Sequence, residues 1–272
     1  MKRLTGGILL GLLSGVAQPV DLGAQEDFRA ADLDRPTKVE DATPVEFRAW
    51  EIEIGSRGVL AEGARAIDGV LELKAGLLRN AQIGVELETG LERVGSGGRS
   101  ETGLAAASAH LLYGIRRETV AGPALALRID ASTPGAGALR HEDVQLGIKG
   151  ITGRSIGRLR LHGNGGYVLA SEPDGGDYWR AGLGSDYPWG LFSRALLADV
   201  YAEIPTSGAR ARVWAEVGLR IQISNRSVLD LGVGTRVDEW DAGIPNLELV
   251  LGLARVFGLP TRVDPYPDPA IR

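Results

Sequence analysis

The 272-residue sequence predicts an all-β protein, a transmembrane antiparallel up-and-down β-barrel of about 12 strands. Three observations carry this reading. The N-terminus has the form of an export signal, units of about ten residues alternate apolar with polar side chains, and the breaks between units alternate between tight and long.

Lys2 and Arg3 precede the apolar run Gly6 to Val16, and small residues follow at Ala17 and Ala24. That order of basic, apolar and small residues predicts a signal peptide over 1–24, with Gly15-Val16-Ala17 as a second candidate cleavage site. No other run approaches the roughly 20 apolar residues a spanning helix needs, so a membrane span must be made of strands. The predicted plan is a signal peptide (1–24), a periplasmic N-terminal segment (25–44), an outer-membrane barrel (45–257) and a C-terminal tail (258–272).

Within the barrel region, Leu71, Leu73, Ala75 and Leu77 alternate with Glu72 and Lys74, which share a strand only if its two faces meet different solvents. The pattern returns in Ile83, Val85 and Leu87 against Gln82, Glu86 and Glu88. It returns again in Val144, Leu146 and Ile148 against Gln145 and Lys149, and in Val213, Val217 and Leu219 against Glu216 and Arg220. Leu247, Leu249, Leu251 and Leu253 close the series. Strands are expected near 45–54, 67–77, 80–89, 102–114, 122–132, 142–152, 157–169, 177–186, 193–203, 210–223, 227–237 and 246–257. Breaks at Leu78 to Asn80, Arg154 to Ile156, Tyr187 to Leu191 and Ser224 to Arg226 read as tight turns. Those at Gly55 to Ala66, Gly90 to Glu101, Thr133 to His141 and Trp240 to Pro245 read as long loops, and Arg116 to Ala121 is longer than a tight turn. Trp50, Tyr113, Tyr187, Trp189 and Trp240 fall near strand ends, where interfacial girdles need aromatics.

Other readings of the same residues are blander or less complete. A soluble β-sandwich also alternates its faces, and the Ala-rich stretch Leu104 to Ile115 could form a short helix, which would leave eleven strands. Gly163, Gly165 and Gly166 form an incomplete dinucleotide pattern without a following helix, so curvature relief is the simpler reading. His110, His141 and His162 lack metal-ligand spacing, and Glu172 to Asp177 matches no calcium loop, so no metal or other cofactor is assigned. Ser108 and His110 share a strand face, the one hint of a lipid hydrolase, but no catalytic residues are assigned. With no cysteine and a dispersed net charge of -5, disulfides, thiolate metal sites and nucleic-acid binding are all unexpected.

The run Asp34-Arg35-Pro36-Thr37-Lys38-Val39-Glu40-Asp41-Ala42-Thr43-Pro44-Val45-Glu46 leads straight into the first strand. Together with Leu146-Gly147-Ile148-Lys149-Gly150, Asp186-Tyr187-Pro188 and Ala198-Asp199-Val200-Tyr201-Ala202-Glu203, it resembles bacterial outer-membrane transporter-like proteins of the meta-pathway phenol-degradation type. Thr43, where an aromatic is expected, and the 6% aromatic content depart from that pattern. The resemblance implies an outer-membrane barrel with a transport role, and it suggests aromatic or apolar solutes.

The polar strand face is expected to line the lumen through Glu72, Lys74, Glu86, Arg128, Asp130, Lys149, Arg158, Arg160, Arg180, Asp199, Glu216, Arg220, Asp230, Arg236 and Glu248. The segment Asp34 to Glu46 could plug the lumen or hang below it, and its Arg35, Lys38, Glu40 and Asp41, able to pair with lumen charges, favour a contact at the lumen mouth. Twelve strands lie between barrels filled by side chains and barrels that hold an aqueous channel, so a narrow pore or transporter for small solutes is expected. A closed structural or binding barrel is the alternative. Outer-membrane lipid and the barrel-assembly machinery are the expected partners, the latter through the final strand ending at Phe257.

Overall fold

The computed structural model describes residues 37–61, 64–94, 100–137, 144–171, 176–190, 193–238 and 247–258. Its strands are β1 (Ala49–Ala61), β2 (Ala64–Leu78), β3 (Ala81–Val94), β4 (Ser100–Arg116), β5 (Ala124–Gly137) and β6 (Gln145–Ile156). They continue as β7 (Leu159–Ala170), β8 (Tyr178–Trp189), β9 (Arg194–Pro205), β10 (Arg212–Ser224), β11 (Ser227–Arg236) and β12 (Leu247–Gly258). Each strand pairs antiparallel with its neighbours in sequence. A seam running from Ala49↔Gly258 to Leu60↔Leu247 joins β1 to β12 and closes the barrel.

The alternation sets which face is which. In β12, Glu248, Val250, Gly252 and Ala254 are buried while Leu247, Leu249, Leu251 and Leu253 are exposed. The same inversion in β2 buries Glu72 and Lys74 and exposes Leu71, Leu73 and Leu77. A wall with aliphatic rows outside and charges inside is stable only where the outside is hydrocarbon. Both ends of the sheet and the two-residue turns at 79–80, 157–158 and 225–226 share one rim, here called the turn rim.

Several strands run further than the alternation suggests. Gly55 to Ala66, expected as a long loop, belongs largely to β1 and β2, whose pairing continues to Ala61↔Ala64. Glycines and charged residues interrupt the apolar pattern there without breaking the backbone ladder, which depends on pairing and not on side-chain polarity. The Ala-rich stretch Leu104 to Ile115 is strand, with register shifts near Thr89 and Gly114 taking up the irregularity. The long break after Arg116 folds over the next turn: Glu118 accepts hydrogen bonds from Ser155 N (2.7 Å) and Oγ (2.8 Å), and Arg154 donates to the Thr119 and Val120 carbonyls. The expected signal peptide, the tail beyond 258, Trp240, His141 and residues 172–175 lie outside the described residues.

Trp50, Tyr113, Tyr187 and Trp189 are exposed on the outer face near the turn rim, and Phe257 stands opposite Trp50 across the seam. Near the other rim Trp179 is outward and packs edge-on against Tyr167, 4.7 Å between ring centres.

Two measurements test this arrangement. Leu251→Arg, near the middle of β12, is expected to destabilise the barrel by about 2–4 kcal/mol in urea titrations in lipid, whereas Asn225→Arg on a turn has little effect. The hydrogen bond from the Ser155 amide holds the Glu118 carboxyl below its ordinary pKa. Its contribution is therefore present above the ordinary carboxylate range and is lost as pH falls through the lowered value. The exchange protection factor of the Ser155 amide should be steady near neutrality and drop on acidification, and Glu118→Ala should abolish it at every pH.

Candidate functional site

Inside the barrel the strands present a charged wall, and residues 37–46 of the same chain run along it. Thr37, Val39, Glu40, Asp41, Ala42 and Val45 are all buried. Pro44 disfavours helix, and the segment forms no regular element, so its buried backbone amides must bond to side chains. Asp199 Oδ2 on β9 accepts from Lys38 N (2.8 Å) and Val39 N (2.9 Å). Asn164 on β7 accepts from Glu40 N (2.7 Å) and donates back to its carbonyl (3.0 Å), and Gln82 on β3 accepts from Val45 N (2.6 Å).

Each charged side chain in the buried run meets opposite charge. Lys38 Nζ lies 2.5 Å from Glu216 and 3.2 Å from Glu248, and 5.3 Å from the centre of the Trp214 ring. Glu40 bridges Arg128 (3.0 Å) and Lys149, and Asp41 pairs with Arg160 (2.9 Å). Such pairs hold a segment in register, yet each partner can be solvated again once water enters.

Shape completes the fit. A Cβ built on Gly182 would stand 2.6 Å from a Val39 methyl, one on Gly184 3.0 Å from Val39 Cβ, and one on Gly76 would overlap the Glu46 carbonyl. Ala42 packs on an apolar patch of the wall made by Leu112, Ala124, Ala126 and Ile151. Toward the turn rim, Asp41 to Phe47 border a cavity of about 630 Å³ that opens among Arg79, Arg116, Asn225 and Arg226.

The side of the lumen formed by β1, β2, β10 and β11 is filled differently. Lys74, wholly buried, lies within 3.2–3.4 Å of Glu51, Glu53 and Glu72. Beside them Arg220 forms a two-pronged pair with Asp230 at 2.7 and 2.9 Å. These groups belong to the wall itself and tie strand to strand.

Of the residues expected to line the lumen, Glu72, Lys74, Lys149, Asp199, Glu216, Arg220, Asp230 and Glu248 are buried. Glu86, Arg128, Asp130, Arg160, Arg180 and Arg236 are partly buried. Arg158 is exposed: it sits in the β6–β7 turn, donates to the Pro188 carbonyl and lies over the outward Tyr187 ring, because the strand stops at Ile156. Arg128 and Arg180 both reach Asp130, whereas Arg236 pairs with Asp238 near the opposite rim.

Sequence reasoning passed over Glu51 and Glu53, although they alternate with Ile52 and Ile54. It also passed over Gln82, Asn164 and Asp186 as anchors. His162 bonds to Asp186 (2.9 Å), and His110 faces Glu72 (3.5 Å) and Gln82 (3.3 Å). Ser108 shares the inward face with His110, whose two ring nitrogens are directed at those other partners.

No protein-family model and no curated protein matches the chain. Solved structures share its fold. An outer-membrane channel from Pseudomonas putida F1 superposes with a TM-score of 0.59 at 15% identity, covering 80% of this chain and 98% of that one. The NanC porin gives 0.54 at 10% identity (74% and 98% covered). The KdgM porin, solved with disordered oligogalacturonate, gives 0.50 at 9% identity (75% and 99% covered). The likeness is one of architecture, the closed barrel of bacterial outer-membrane channels.

The seating of the segment can be tested with the single cysteine of Ala42→Cys, since the chain has no other. Maleimide labelling in the otherwise unchanged protein should be slow, because Ala42 is buried. Gly182→Leu, or Lys38→Met with Glu40→Gln, should speed it at least about tenfold, as expected if roughly 1.4 kcal/mol or more of seating energy is lost.

Proposed function

We propose that the protein is a narrow outer-membrane channel for small solutes, stoppered by its own residues 37–46. The observation that carries this reading is the seating of that segment: the wall leaves room for it at Gly76, Gly182 and Gly184 and holds it by polar contacts that water can replace. A barrel meant to stay closed needs no such guest, since inward side chains can fill a small lumen. The turn rim, with both ends of the sheet, faces the periplasm, and the cavity beside Asp41 to Phe47 is its vestibule.

Withdrawal of the segment uncovers the patch of Leu112, Ala124, Ala126 and Ile151 under Ala42. That surface suits small apolar or aromatic solutes, in keeping with the resemblance of Asp34 to Glu46 to the meta-pathway phenol-degradation type. The charged anchors around it carry both signs, which disfavours strong ion selectivity. The outward Phe257 ending β12 supports recognition by the barrel-assembly machinery. A closed structural barrel is the second reading, favoured by the buried Lys74 cluster, which cross-links the wall independently of the segment.

The reversible staple Val39→Cys with Gly184→Cys separates the two readings, since the two Cβ positions are already adjacent. Channel events and uptake of a small aromatic solute into liposomes should be absent when the staple is oxidised and return on reduction. They should rise further in Lys38→Met/Glu40→Gln/Asp41→Asn. Silence in every state would reject transport and leave the closed barrel.

A further inference from the structure

We propose that the turn rim carries a built binding belt for anionic glycerophospholipid, in which arginines stacked on outward aromatic rings hold the lipid phosphates. Arg48 lies 5.0 Å from the Phe47 ring centre, Arg158 5.5 Å from Tyr187, Arg194 5.8 Å from Trp189 and Arg255 5.3 Å from Phe257. All four arginines and all four rings are exposed. Outward aromatics sit at headgroup depth in a barrel, so a guanidinium stacked on each is held at the depth of the phosphates. A guanidinium over a ring face can still offer edge N–H groups to phosphate; Arg158 uses its Nη2 for the Pro188 carbonyl.

At the opposite rim the arginine placed over a ring is Arg236, 5.5 Å from the centre of Trp214, and both residues are half-buried and not exposed. There Arg212 is paired with Glu203 (2.8 Å) and Arg236 with Asp238 (2.7 Å), so these two charges are neutralised within the chain. On the turn rim, among the described residues, the exposed acids are Glu46 and Glu118, and Glu118 is engaged by Ser155 and Arg154. Arg79 and Arg226 are exposed on the same rim and strengthen its positive field. Each basic side chain at an anionic surface adds attraction, so four together discriminate net lipid charge. This inference holds whether or not the lumen conducts.

The test is a lipid titration of the delipidated full chain by native mass spectrometry, using phosphatidylglycerol and phosphatidylcholine with identical acyl chains. Phosphatidylglycerol is expected to bind at least about tenfold more tightly. Arg48→Gln/Arg158→Gln/Arg194→Gln/Arg255→Gln should bring it to the phosphatidylcholine level, while Arg210→Gln/Arg212→Gln on the opposite rim should leave the preference intact. Folding is checked by the heat-modifiable shift in gel mobility. If the quadruple variant does not fold, the pairs Arg48→Gln/Arg255→Gln and Arg158→Gln/Arg194→Gln are measured separately, each expected to lower the preference about threefold. No preference in the unsubstituted chain, survival of the preference in the turn-rim variants, or an equal loss in the opposite-rim variant would overturn the proposal. Displacement of lipid by millimolar inorganic phosphate at fixed ionic strength would also overturn it, by showing a plain anion site.

Discussion

Backbone amides and carbonyls left unpaired in hydrocarbon cost several kcal/mol each, and the pairing of β1 with β12 spares this wall an open edge. The other features follow from that closure. A closed sheet has an inside, and strict alternation along each strand then sends every second residue there. Lys74, lodged among Glu51, Glu53 and Glu72, can be wholly buried because Leu71 and Leu73 on the same strand take the exposed positions of the same alternation.

Burying so much charge sets the character of the interior. Charges taken from water need partners in good geometry, and the wall meets that need in two ways. Around Lys74 and Arg220 the strands satisfy one another, giving a cross-linked region that does not depend on any other part of the chain. Around Asp199, Glu216, Lys149 and Arg160 the partners come in part from residues 38–41. The wall on that side is completed by a segment joined to it covalently at the start of β1 and otherwise, among the described residues, by side-chain contacts, which sets it apart from the region cross-linked strand to strand.

The barrel was legible because its signal is written in period two. The leucine row from Leu247 to Leu253, and the rows opposing Glu72 and Lys74, need no tertiary information to place one face in lipid. Strand ends were less legible. Beyond the hydrocarbon both faces are wet, so polarity stops reporting while pairing continues, as from Gly55 to Ala61. Arg158 was misplaced for the same reason: in the turn between β6 and β7, alternation no longer says where a side chain points. The charges of the segment foretold that it would meet the lumen, but not how deeply. Depth depends on empty space at Gly182 and Gly184, and a glycine in a strand reads equally well as curvature relief or as room for a guest.

Those glycines bear directly on how a stopper can be both specific and removable. Were the gap filled by larger inward residues of β8, the lumen would be narrowed permanently and the segment would have no seat. With glycine there, the Val39 side chain fills the gap by contact alone, while orientation comes from the bonds that its own amide and that of Lys38 make to Asp199 and that of Glu40 makes to Asn164. Dispersion contacts of one isopropyl group are modest, and exchangeable hydrogen bonds contribute about 0.5–1.5 kcal/mol each, more where a charged group takes part. Summed over this short run they are enough to favour the seated state without approaching the stability of the paired wall. On the proposed reading the barrel keeps its hydrogen-bond ladder intact when the segment leaves, because the two are held by interactions of different size and reversibility.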